Sequence, residues 1–127
     1  MNKTDKNVFG AKKSSIEYWA NNRNRFSELY PSERHFLGNC LENITTVLDV
    51  GCAAGGGASF CTEINSKVNY TGIDICGNLI VQARKKYNSI GSFYQYDGKN
   101  IPFGNKCFDL IFSFGVIHYL IHWKNIV

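Results

Sequence analysis

The strongest constraint on this chain is the run Val47-Leu48-Asp49-Val50-Gly51-Cys52-Ala53-Ala54-Gly55-Gly56-Gly57. Residues 46–50 have the apolar character of a strand buried inside a sheet. They pass directly into seven residues, 51–57, that contain four glycines. Glycine lacks a Cβ, so such a turn lets a ligand approach the backbone closely. A helix is expected over 58–64, and free amides at a helix N-terminus favour anionic or polar ligand groups. A glycine-rich turn without a ligand is the plainer alternative. The density of glycine straight after a buried strand favours a binding turn.

The rest of the chain supplies a frame for that turn. Residues 1–13 are rich in Lys, Asn and Thr and read as a polar tail. Residues 14–127 have the length of one domain. The spacing of Ile16, Trp19, Phe26 and Leu29 predicts a helix over 14–29. Pro31 interrupts, and Ser32 is the expected N-cap of a helix over 33–41. Strands are predicted over 68–75, 92–96 and 108–114. A helix over 78–86 places Leu79, Ala83 and Tyr87 on one face. The residues after 114 read as the opening of another helix. Strands alternating with helices predict an α/β fold with a parallel sheet covered on both faces.

Composition narrows the class. The net charge of +4 comes from scattered Lys and Arg, with short pairs at Lys12-Lys13 and Lys85-Lys86. That is a solvated surface rather than the clustered basic stripe of a nucleic-acid binder. The five cysteines are odd in number and form no C-x-x-C pair, so neither a disulfide framework nor a metal site is expected. Residues 1–15 lack the apolar run of a signal peptide. No apolar run reaches the roughly 18 residues that span a bilayer. A cytoplasmic location is the default expectation.

Two ligands compete for the turn. Gly51, Ala53 and Gly56 fit G-x-A-x-x-G, and Asp74 lies eighteen residues after Gly56. That is near the spacing of a dinucleotide fingerprint, which makes an NAD-dependent oxidoreductase a rival reading. Asp49, two residues before the first glycine, argues the other way. A buried carboxylate there repels a pyrophosphate and suits a ligand that carries positive charge.

Asp49-x-Gly51-x-Ala53-x-Gly55 resembles the first motif of the class I S-adenosylmethionine-dependent methyltransferases. Tyr70-Thr71-Gly72-Ile73-Asp74-Ile75 resembles the second, and Asp97 stands at the family's adenine-side acidic position. Ile101-Pro102-Phe103, then Phe108-Asp109-Leu110-Ile111-Phe112-Ser113, resemble the fourth-strand motif. Gly115-Val116-Ile117-His118-Tyr119 resemble the family's segment just after that strand. The likeness runs from about Tyr18 to the end of the chain. Ala53 replaces the family's usual middle glycine.

The resemblance implies a Rossmann-like sheet of order 3-2-1-4 with flanking helices. The later strands of the family fold are not in this chain, so the expectation is a fragment of a longer enzyme. Its fourth strand would then be exposed and open to self-association. The implied activity is methyl transfer from S-adenosyl-L-methionine to an unidentified acceptor, by preference a small molecule. A truncated, non-catalytic binding module is a further alternative.

The resemblance also implies roles. Gly51, Cys52, Ala53 and Gly55 line the methionine portion with backbone groups, and Asp49 orients its ammonium. Asp74 accepts the ribose hydroxyls, a bidentate task suited to a carboxylate. Ile75 packs on the adenine, and Asp97, with Gly98 beside it, accepts from the adenine amino group. Turn or cap roles are the plainer alternatives for Asp74 and Asp97. Ser113 and Phe114 fall where the transferred methyl would lie, with His118 just beyond. His118 is the candidate general base for an acceptor that must lose a proton, and a helix-capping residue otherwise. In the family an N-terminal helix often covers the mouth of the site, which makes Tyr18 and Arg23 candidate contacts.

Overall fold

A computed structural model of the protein describes residues 17, 18 and 21–114. Four parallel strands form its centre: β1 (Thr46–Val50), β2 (Asn69–Asp74), β3 (Gly91–Gln95) and β4 (Leu110–Phe112). Their order is β3-β2-β1-β4. Among the described residues they are flanked by helices α1 (Pro31–Leu41), α2 (Gly56–Ile64) and α3 (Gly77–Tyr87). The α/β class and the strand order agree with the sequence expectation.

The register explains the central position of β1. Val50 pairs with Ile73 and Asp49 with Gly72 on β2, while Asp49 pairs with Phe112 on β4. Strand side chains alternate between faces. Val47, Tyr70 and Phe93 therefore face α2 and α3, where they pack with Ala58, Cys61, Ile80 and Ala83. Leu48, Val50 and Ile73 face the other way, under Ile101, Phe103 and Phe108. A strand buried on both faces has to be apolar almost throughout, as β1 is.

Several predicted boundaries shift for local reasons. The expected helix over 14–29 does not run through. Arg23 takes a left-handed φ of 56°, and Phe26–Glu28 form a separate 3₁₀ turn. The Glu28 carboxylate accepts the amides of Arg23 and Arg25, which replaces the helical bonding there. Pro31 does not break a helix but starts one: it occupies the first turn of α1, with Tyr30, not Ser32, at the N-cap. Proline suits that position because the N–H it lacks would have no partner there. The fourth strand is shorter than the apolar run 108–114. Phe108 leaves it to pack edge-on against Phe103 at 5.2 Å, and the Asp109 carboxylate accepts the amides of Thr45 and Thr46. Trp19 and the tail over 1–13 lie outside the described residues.

Gly55 is where the turn, α3 and β3 meet. It caps α2 with φ of 87°, and a Cβ there would lie 2.8 Å from both the Ala83 Cβ and the Phe93 ring. Gly55→Ala combines a left-handed alanine with overpacking and should cost about 2–5 kcal/mol of stability. Urea denaturation measures it; a loss below about 1 kcal/mol would mean the junction is looser than described.

Candidate functional site

The site lies at the C-terminal ends of β1 and β2, the end where open α/β sheets bind ligands. Left-handed φ values at Gly51 (83°), Ala53 (50°) and Gly55 (87°) curl residues 51–55 into a tight turn. The N–H groups of Gly51 and Cys52 both donate to the Ile73 carbonyl, at 2.8 and 3.0 Å. Ala53 N–H donates to Asp74 Oδ2 at 2.9 Å, and Gly55 N–H donates to the Cys52 carbonyl at 2.9 Å. These four amides are therefore engaged inside the protein. The backbone of Arg23 and Asn24 also lies against Gly56, leaving no room there for a Cβ. The turn thus directs these four donors inward; the helix N-terminal amides that the sequence expectation concerned begin beyond them, at Gly56.

Asp74 joins two elements. Besides Ala53, it accepts the Cys76 amide on Oδ1 at 2.8 Å, at the N-cap of α3. It is 7% exposed. Burial pushes its carboxyl up, and the backbone bonds from Cys76, Ala53 and Ile75 pull the other way. Each carboxylate oxygen has a second lone pair and can accept another donor.

Asp49 is 6% exposed and sits beneath the first turn of α2, so tightly that Gly57 has no space for a Cβ. The Tyr70 hydroxyl donates to its Oδ2. Burial pushes the Asp49 carboxyl up to about 7; the Tyr70 bond lowers it and the Asp74 charge raises it. Among the described residues no basic side chain influences either carboxyl. The Cys52 thiol, whose Sγ would lie 2.8 Å from a Cβ on Gly72, is buried and pushed well up, chiefly by that burial.

The remaining candidates are spread around this pair. Asp97 is exposed, and its Oδ1 accepts the amides of Lys99 and Asn100 at 2.8 and 2.9 Å. Those bonds hold its carboxyl below the usual range, so Asp97 does fill the turn role. Gly98 beside it is buried with φ of 76°. Ile75 packs beneath the sheet with Leu48 and Val50. Ser113 follows β4, with its Oγ buried and without a partner among the described residues. His118 lies outside the described residues. The Arg23 guanidinium is held by both Glu33 oxygens, at 2.7 and 2.8 Å, and lies over the Tyr30 ring. Sequence reasoning assigned no role to Tyr70 or Tyr96; pairing Tyr70 with Asp49 requires the β1–β2 register. Among the described residues no group of three or more acidic, His or Cys side chains is placed to hold a metal. None of the described helices is long and apolar enough to cross a membrane.

A parallel 3-2-1-4 sheet with a glycine turn after β1 and an acid at the end of β2 defines a Rossmann-like, nucleotide-type binding domain. The chain belongs to the methyltransferase domain family, whose model matches residues 47–127. A fatty-acid O-methyltransferase of Mycolicibacterium smegmatis is 38% identical over 68 residues, 53% of this chain and 25% of that protein. A phthiotriol/phenolphthiotriol dimycocerosates methyltransferase of Mycobacterium leprae is 33% identical over 80 residues, 62% and 30% of the two chains. A probable tRNA methyltransferase 9B of Mus musculus is 34% identical over 93 residues, 73% and 19%. The chain thus spans about a fifth to a third of the length of these relatives. Among solved structures, a SAM-dependent methyltransferase from Aquifex aeolicus shares the fold with a TM-score of 0.72 and 21% identity, over 91% of this chain and 65% of that one.

The raised carboxyls make stability depend on pH. From about pH 4 to 7 the folded protein keeps a proton on Asp49 that the unfolded chain has released. Stability should fall as pH rises through that window, by at most about 4 kcal/mol, and level off above it. Asp74 acts in the same direction. Asp49→Asn should remove the Asp49 part of the slope. Urea midpoints at about pH 5 and about pH 8 test this; equal wild-type midpoints would give both carboxyls ordinary values.

Proposed function

We propose that this chain is the cofactor-binding part of an S-adenosylmethionine-dependent methyltransferase. The observation that carries the proposal is the electrostatic make-up of the strand ends. Asp49 and Asp74 are both buried there with no basic side chain among the described residues influencing them, while the amides of Gly51, Cys52, Ala53 and Gly55 are engaged within the protein. Such a site repels the pyrophosphate of NAD and fits a ligand with an ammonium and a sulfonium. The donor set fits the cofactor in detail as well: ribose hydroxyls are donors, and Asp74 is an acceptor with lone pairs remaining.

When bound, the cofactor supplies a methyl group already activated by its positive sulfur. Asp49 holds the charge of the methionine end from beneath the turn, and Asp74 fixes the ribose. Gly51, Cys52, Ala53 and Gly55 line the methionine end with backbone groups. Ile75 covers the adenine, and Asp97 and Gly98 border its edge. Ser113 lines the path of the methyl, and His118 takes a proton from an acceptor that must lose one. Holding donor and acceptor in line and excluding water are the main tasks of such a site. Relatives named for fatty acids and phthiotriols support a small-molecule acceptor. Five cysteines held as thiols support a reducing, cytoplasmic location. Ile111 on β4 is 53% exposed, which supports covering of that sheet face by a further segment or a second copy.

S-adenosylhomocysteine should raise the melting temperature and NAD should not. Asp74→Ala should weaken S-adenosylhomocysteine binding by about 1.5–3 kcal/mol, and Asp74→Asn by less. Protection by NAD alone, or unchanged affinity in folded Asp74→Ala, would overturn the reading.

A further inference from the structure

Tyr96 directly follows β3, and its N–H donates to the Asp74 carbonyl at 3.1 Å. That bond fixes the residue beside the end of β2. Its side chain lies on the sheet face turned away from α2 and α3, packed with Leu48, Val50 and Ile73. The residue is only 8% exposed. Its hydroxyl oxygen is buried and has no hydrogen-bond partner among the described residues. Buried polar atoms are almost always bonded, because water that once solvated them has to be replaced. A phenylalanine would fill the same space without that cost.

The surroundings of the hydroxyl point to one occupant. Burial pushes its pKa up, and the charges of Asp74, then Asp97, then Cys52 raise it further. Those residues are the ribose, adenine and turn positions of the proposed site. Asp74 and Asp97, when ionised, only accept hydrogen bonds, whereas a neutral phenol also donates. The acceptor atoms of an adenosine, its ring nitrogens and ribose ring oxygen, need a donor that neither carboxylate supplies. We propose that Tyr96 is a further cofactor-binding residue, its hydroxyl donating a hydrogen bond to an acceptor atom of the adenosine half. This assignment rests on the S-adenosylmethionine reading.

The test compares wild type with Tyr96→Phe in the full-length protein, by melting temperature and by calorimetric titration with S-adenosylhomocysteine and with methylthioadenosine. The ligand-free variant should melt at the same temperature or up to about 5 °C higher, because it loses an unbonded buried group. Its affinity for S-adenosylhomocysteine should fall about five- to tenfold. Methylthioadenosine, which lacks the amino-acid end, should lose the same factor. A ligand-free variant that melts several degrees lower would show that the hydroxyl is bonded within the protein, and would overturn the assignment. So would unchanged affinity, or a loss confined to S-adenosylhomocysteine. Wild type that binds neither probe overturns the S-adenosylmethionine reading and this assignment together. That result is distinct from wild type and variant binding equally.

Discussion

The geometry of the site depends on the Asp74 carboxylate. One oxygen accepts from Ala53 in the glycine turn and the other from Cys76 at the start of α3. A single side chain thus ties the loop after β1 to the loop after β2. The turn needs such a tie, because Ala53 adopts a left-handed φ that costs an alanine on the order of 1 kcal/mol. The doubled bond from Gly51 and Cys52 to Ile73 holds the same junction from the backbone side. Packing completes it, with Cys52 set against Gly72 and Gly55 wedged between Ala83 and Phe93.

Charge is distributed unevenly around this junction. Asp49 and Asp74 sit in the interior with hydroxyl and amide donors for company and no basic side chain among the described residues influencing them. Arg23, which the sequence offers as a cation for the mouth of the site, is engaged by Glu33 instead. Among the described residues the strand ends therefore carry buried acids without a basic partner. Elsewhere acids are handled conventionally: Asp97 and Asp109 are exposed and hold loop amides.

Much of this is legible in the sequence, and for physical reasons. β1 is apolar because it is buried on both faces, and the glycines after it cluster because Gly51 and Gly55 take left-handed φ values while Gly56 and Gly57 have no room for a Cβ. Helix and strand periods differ enough to place α3 and β2 to within a residue or so. Harder to read are features that depend on partners distant in sequence. The break at Arg23 is made by Glu28 and by contact with Gly56, so local spacing suggests one continuous helix. Phe108 has the composition of a strand residue but a better place against Phe103. The direction of the turn's amides depends on the β1–β2 register, which no single segment encodes.

The Asp49 carboxyl, pushed up to about 7 beneath α2, gives the proposed site an exchangeable proton. Burial makes Asp49 retain that proton further up the pH scale than an exposed aspartate does. Any ligand that brings its own positive charge to Asp49 displaces that ion into the buffer. The heat of such an exchange includes the heat of protonating the buffer, so calorimetry in two buffers of different ionisation enthalpy would count the ions released.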